Sequence, residues 1–215
     1  MGNKRTATVT IVEDRPSAGD SAAYQAARRA MIDSQLRPSG VNARFVLRRM
    51  GEVARESFVP EECRAVAYMD RAVPLGDGRW LAAPVVHGLM LQEARPVPDD
   101  RALVVDGGSG YLAELLRPLV GSLEVIAPDA AAQMAGGGGG GDVTLLMIDG
   151  AAEQIPDGLV ARLAPEGRIV TGTVEDGVTR LAVGRVAAGR PALLPVAELG
   201  IPELPEFAAP RRWTF

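Results

Sequence analysis

Apolar and polar positions follow several different periods along the chain, and the change of period divides it. From Ser21 to Leu36, Ala26, Ala30 and Ile32 lie among straight-chain residues, which predicts a helix stopped by Arg37-Pro38-Ser39-Gly40. Phe45, Val46, Met50 and Val53 form the stripe of a second helix, with Asn42 as its expected cap. After Phe58-Val59-Pro60 a short helix is expected near Glu61–Val66, and residues 67–83 read as irregular, punctuated by Pro74, Gly76 and Gly78. Pro84 suits the first turn of a helix running to about Ala94.

Beyond that point short apolar runs alternate with helical ones. Arg101–Val105, Leu123–Ile126, Val143–Ile148 and Gly167–Thr171 read as strands, with helices at Tyr111–Leu119 and Ile155–Leu163 between them. Strand, helix, strand at this spacing is the mark of a buried parallel sheet. The alternation over Thr179–Val186 predicts an antiparallel addition at the far edge, and Arg212–Phe215 a last strand. Residues 1–20 form a poorly ordered lead-in, with a short strand over Thr6–Val12. Residues 21–215 form one domain, helical over 21–98 and a sheet core over 99–215. The six glycines Gly136–Gly141 read as a surface connection, because neither a helix start nor a lysine follows them to make a phosphate loop.

The candidate chemistry lies at the turn Asp106-Gly107-Gly108-Ser109-Gly110, between the first core strand and the helix starting at Tyr111. Glycines there let backbone approach a ligand and present amides at a helix start. By itself the turn is compatible with nicotinamide, flavin or S-adenosylmethionine ligands, or with close packing alone. Composition narrows the field. Apolar residues make up 47% of the chain, enough for a sizeable core, and the net charge of −4 argues against nucleic acid as a partner. No uninterrupted apolar run reaches the roughly 18 residues a membrane span needs. The single cysteine, Cys63, and the lack of a secretory pattern at the N-terminus lead to an expected cytoplasmic location. The opening Met1–Thr6 matches a myristoylation pattern that is read as chance. The only histidine, His87, has no cysteine or acidic cluster around it, so no metal site is expected. It is read as a packing or hydrogen-bonding residue, and Tyr111 as packing its helix.

From about Ala26 onward the chain resembles the protein-L-isoaspartate O-methyltransferase family. The resemblance is carried by Arg29–Leu36, Arg55–Pro60, Ala67–Asp70, Val73–Gly76, Ala83-Pro84, Gly108–Tyr111, Asp149–Pro156 and Leu163–Arg168, in order, and the stretch from Leu204 to Phe215 is similar to a divergent bacterial branch. The resemblance implies a Rossmann-like α/β methyltransferase fold with N-terminal helices. It also implies methyl transfer from S-adenosyl-L-methionine to the free carboxylate of isoaspartyl residues, a protein-repair reaction whose partner is an isoaspartyl protein or peptide. Such chemistry depends mainly on alignment.

The same resemblance exposes four departures. Ala82 stands where the family places a serine near the transferred methyl. Asp106 stands at the first glycine of the turn, ahead of Gly107, Gly108, Ser109 and Gly110. Ala127 stands where an acidic residue would accept from the ribose hydroxyls, with Asp129 two residues further on. The helix and edge strand that usually follow are missing between Pro128 and Gly141, leaving Leu123–Ile126 as an edge. Trp80 replaces a small polar residue and is expected to fill space a substrate side chain would use. Asp70 and Arg71 either border the substrate cleft or form a solvated pair. These departures predict weak or absent S-adenosylmethionine binding and reduced or lost activity, the alternative being a non-catalytic pseudo-methyltransferase that acts as a binding or scaffold protein.

Overall fold

The computed structural model describes residues 18–136 and 140–210. The strands expected at Thr6–Val12 and Arg212–Phe215, and most of the lead-in, lie outside the described residues. Helix α1 (Ala18–Met31) continues as a π-helical turn over Ile32–Leu36, followed by α2 (Arg44–Glu52) and two 3₁₀ turns at Arg55–Phe58 and Glu61–Val66. The cap of α2 differs from the expectation. Asn42 contributes no side-chain cap; instead Gln92 reaches across, its Oε1 accepting from the amides of Asn42 and Ala43 at 2.9 and 3.1 Å.

The segment expected to be irregular holds a hairpin, β1 (Val73–Gly76) with β2 (Arg79–Leu81). Its two-residue loop, Asp77-Gly78, has positive φ at both positions (49° and 73°), the backbone a primed hairpin turn demands. Strands of four and three residues are too short to leave a period in the sequence.

Helix α3 (Pro84–Ala94) leads to the main sheet. Its strands are β3 (Arg101–Val105), β4 (Ser122–Ile126), β5 (Val143–Ala152), β6 (Leu163–Glu175), β7 (Val178–Ala187) and β8 (Arg190–Glu198), in the spatial order β4-β3-β5-β6-β7-β8. The first four run parallel; β7 and β8 complete an antiparallel meander. Strand β3 is therefore second from the edge, and β4 is the expected edge. The far side carries two antiparallel strands where one was expected, because Pro191 and Pro195 disguise β8.

Alternate residues of β3 and β5 enter opposite cores. Ala102, Val104, Leu145 and Met147 pack with the N-terminal helices, while Leu103, Val105, Leu146 and Ile148 pack with Ala131, Leu159 and Phe207. Both faces are covered, so β3 reads as a continuous apolar run.

Between β4 and β5 no strand forms among the described residues. A helix does survive there, which corrects the expectation of its loss: α5 (Pro128–Ala132) is one short turn, started by Pro128 and carried by alanines, with Ala131 buried. Helices α4 (Tyr111–Leu116) and α6 (Asp157–Arg162) complete the layers.

Candidate functional site

Strand β3 delivers the turn to the carboxyl edge of the parallel strands, where open α/β sheets place their ligands. Asp106 is anchored by its amide, which donates to the Ile126 carbonyl at 2.9 Å, so the turn and the end of β4 lie side by side. Ala127, the next residue, is exposed and caps α5 through backbone alone. Asp129 is exposed on the first turn of α5. Gly107 is the point of closest approach, since a Cβ there would lie 2.3 Å from the Asp149 carbonyl oxygen. Gly108 takes φ +114° and is exposed, with the Cβ and Cγ of Arg79 3.2 Å from where its own Cβ would be.

The amides of the turn already have partners. Asp106 Oδ2 accepts from the Gly108 amide at 3.2 Å and Oδ1 from the Gly110 amide at 2.8 Å, while Ser109 Oγ accepts from the Tyr111 amide at 3.1 Å. Asp106 thus places its own carboxylate where the turn would present donors to a ligand. Burial, and then the nearby Asp149 carboxylate, raise the Asp106 pKa above the usual carboxylate range, and the two glycine amides oppose that rise.

Beneath the turn runs a buried polar chain. Arg55, fully buried, donates to the carbonyls of Ala67 and Ala82 and to His87 Nδ1 at 3.3 Å. An arginine has only donors, so Nδ1 must accept and the ring proton sits on Nε2, which donates to Asp149 Oδ1 at 2.8 Å. The imidazole thereby links a guanidinium to a carboxylate. Burial lowers the Arg55 pKa, opposed by Tyr111 and Asp149. The Arg55 guanidinium also stands 5.0 Å from the Tyr111 ring centroid, and Phe58 and His87 meet that ring edge-on at 5.3 Å. Tyr111 is fully buried, and its hydroxyl has no hydrogen-bond partner among the described residues.

Ala82 is 2% exposed, its carbonyl pinned by Arg55. Trp80 stands at the surface of the β1–β2 hairpin. It is 46% exposed and lines a groove of about 440 Å³ with Ala72, Gly78, Ile201 and Pro202, because β2 turns alternate side chains to opposite faces. Asp70 and Arg71 are exposed and form no ion pair with each other. The structure therefore gathers Asp106 to Gly110, Ala127 and Ala82 around the sheet edge and leaves Asp70 and Arg71 in solvent.

Arg79 closes the outer side of the turn. Its guanidinium grips the Glu206 carboxylate through two parallel bonds, Nη1 to Oε2 at 3.1 Å and Nη2 to Oε1. Arg79 holds the Glu206 pKa below its ordinary 4.5, against a smaller opposing effect of burial. A depressed carboxylate contributes stability above its unfolded-state pKa and loses it as pH falls through the folded-state value. The pair is partly exposed, so its contribution is at most about 1 kcal/mol. Arg79→Met is expected to lower the melting temperature slightly at pH 7, by an amount that shrinks as pH falls below 4.5, which thermal melts across that range will check.

Sequence reasoning missed Arg55, Asp149, Arg79 and Glu206 as members of one site. Arg55 and Asp149 each open a segment that carries the family resemblance, a signal that could have marked them; Arg79 and Glu206 carried none.

The family model for Protein-L-isoaspartate(D-aspartate) O-methyltransferase matches residues 26–135, about half of the chain. The chain belongs to this family. An Aeropyrum pernix protein-L-isoaspartate O-methyltransferase is 38% identical over 182 residues, covering 72% of this chain and 70% of the relative. A second, from an Anaeromyxobacter species, is 34% identical over 178 residues and 73% of both chains. In three dimensions the fold is similar to a Plasmodium falciparum structure described as a protein-L-isoaspartate O-methyltransferase in complex with S-adenosyl-L-homocysteine. That match has a TM-score of 0.65 and 18% identity, covering 85% of this chain and 98% of the other. The isoaspartyl methyltransferase fold is thus retained here, including an antiparallel continuation of the sheet. Among the described residues no helix is long and apolar enough to cross a membrane, and no group of three or more His, Cys, Asp or Glu residues has the arrangement of a metal site.

Proposed function

We propose that this family member descends from an enzyme that methylates isoaspartyl carboxylates with S-adenosyl-L-methionine, and that it carries out this reaction weakly or not at all. The observation that carries the reading is the Asp106 carboxylate bound to the amides of both Gly108 and Gly110. In this arrangement an S-adenosyl ligand meets glycine amides already engaged by Asp106, with the Arg79 stem lying over Gly108. Ala127 offers no ribose acceptor, and the short α5 connection leaves β4 an open edge where the family carries more structure. When bound, the cofactor supplies the methyl group; the chain's own share is to hold the reactants in line.

Two measurements test this reading. Calorimetry with S-adenosyl-L-homocysteine is expected to show no micromolar binding. Methyl transfer to an isoaspartyl peptide, compared with the matching aspartyl peptide, is expected to be weak or absent. Selective methylation at an ordinary enzyme rate refutes the reading and restores the parental activity. No binding of either ligand moves the assignment to a non-catalytic binding protein.

Where residual methylation exists, Ala82→Ser is expected to raise it, because the hydroxyl returns to the position the family uses. A positioned donor is worth about 10²-fold at best. Ala82 is almost fully buried with its carbonyl held by Arg55, so about tenfold is expected. The gain belongs in turnover at saturating cofactor, with affinity unchanged, and Trp80→Thr in the same chain opens the approach to that position.

A further inference from the structure

We infer that Arg79 is a carboxylate-binding residue at the outer face of the glycine turn, and that Glu206 is its built-in occupant. The inference deepens the function proposed above, since it names the chemical group this site takes. Three observations carry it.

The first is geometry. The Arg79 stem lies along Gly108, with Cβ and Cγ 3.2 Å from the position of a Gly108 Cβ, so the guanidinium projects from the turn itself. The fork-to-fork pairing with Glu206 is the arrangement by which arginine recognises a free carboxylate.

The second is how Glu206 is held. It sits on the single 3₁₀ turn Pro205–Phe207, between Leu204 and Phe207, which are 5% and 2% exposed. The Leu204 amide donates to the Ala151 carbonyl at 2.9 Å, and the Phe207 carbonyl accepts from the Gln154 amide at 3.0 Å. The backbone under Glu206 is tied down on both sides, which keeps its carboxylate opposite Arg79.

The third is access. The Arg79 and Glu206 side chains are 26% and 23% exposed, so a ligand reaches the pair without opening the core. An incoming carboxylate exchanges for Glu206 one for one. Arg79 remains paired and Glu206 regains water, so neither charge is stranded. What opposes the exchange is the high effective concentration of a tethered competitor.

Two ligand sources share this chemistry: the free carboxylate of an isoaspartyl peptide, and the amino-acid end of an S-adenosyl compound. The experiment is equilibrium binding, by calorimetry and tryptophan fluorescence, on the full chain without turnover. The probes are an isoaspartyl hexapeptide, the same peptide with that carboxylate as a carboxamide, S-adenosyl-L-homocysteine, and 5′-methylthioadenosine, which lacks the amino-acid end. Glu206→Gln is expected to bind at least one carboxylate probe tenfold or more tighter than wild type, with no gain for its neutral counterpart. Adding Arg79→Met is expected to abolish that gain. A gain confined to the peptide pair assigns the site to substrate, and one confined to the S-adenosyl pair assigns it to the cofactor's amino-acid end. The inference is overturned if both Glu206→Gln and Glu206→Ala, folded by circular dichroism, bind neither carboxylate more tightly. It is equally overturned if the gain persists without Arg79. Because only binding is read, an active wild-type enzyme would sink the reduced-activity reading while leaving this result to stand or fall separately.

Discussion

Arg55→Met is expected to destabilise the chain by about 3–5 kcal/mol, the combined cost of leaving buried acceptors without their donor at roughly 1–3 kcal/mol each. Arg55 has no exposed surface and serves three acceptors on three segments: the Ala67 carbonyl, the Ala82 carbonyl and His87 Nδ1. Methionine matches much of the stem and none of the donors. Two buried carbonyls then lose a partner, and Asp149, 6% exposed, keeps the imidazole but loses the cation relayed through it. For a domain of this size that loss lowers the melting temperature by on the order of 10 °C. A change of only about 2 °C would show that water or rearrangement replaces the guanidinium. Adding Asp149→Asn separates the two costs. If the stranded carboxylate is the larger one, the double variant recovers part of the lost stability, because the charge that lacked a partner is gone.

The same chain of contacts explains what could be read along the sequence and what could not. The apolar run of β3, the glycines after it and Pro84 at the head of α3 each act over a few residues, and each was legible. The hairpin was signalled only by Asp77-Gly78, and β8 was hidden by two prolines that an outer strand tolerates. The site's side-chain partnerships left no local trace. Arg55 meets His87 at a separation of 32 residues, His87 meets Asp149 at 62, and Arg79 meets Glu206 at 127. For the lone histidine the sequence leaves packing and hydrogen bonding both open, and its partners, Arg55 and Asp149, come from the folded topology. Asp106 was legible as an intruder at the turn. That its carboxylate reaches back to the amides of Gly108 and Gly110 depends on the folded path of the turn.

That reach makes Asp106 the residue whose removal most changes what the turn can bind. Asp106→Gly is expected to raise affinity for S-adenosyl-L-homocysteine by ten- to a hundredfold. Hydrogen bonds to a charged group are worth about 1.5–3 kcal/mol each, and two amides are released. Part of that is not recovered, because the ligand must order a turn that the carboxylate had organised and Arg79 still lies over Gly108. The substitution costs roughly 1 kcal/mol of stability through glycine's backbone entropy and roughly 1–3 kcal/mol more through the two lost amide bonds, so binding must be measured well below the melting temperature. Asp106→Asn gives a graded comparison: its amide oxygen accepts from one glycine, its charge is gone, and its affinity is expected between the two. Comparing S-adenosyl-L-methionine with S-adenosyl-L-homocysteine isolates the electrostatic share. If the Asp106 carboxylate attracts the sulfonium, the wild-type chain prefers the charged compound, and Asp106→Gly erases that preference while tightening both. If a folded Asp106→Gly variant binds neither ligand more tightly, the blocked amides are not what limits binding, and the cause lies in the bare Ala127 position and the open edge beside β4.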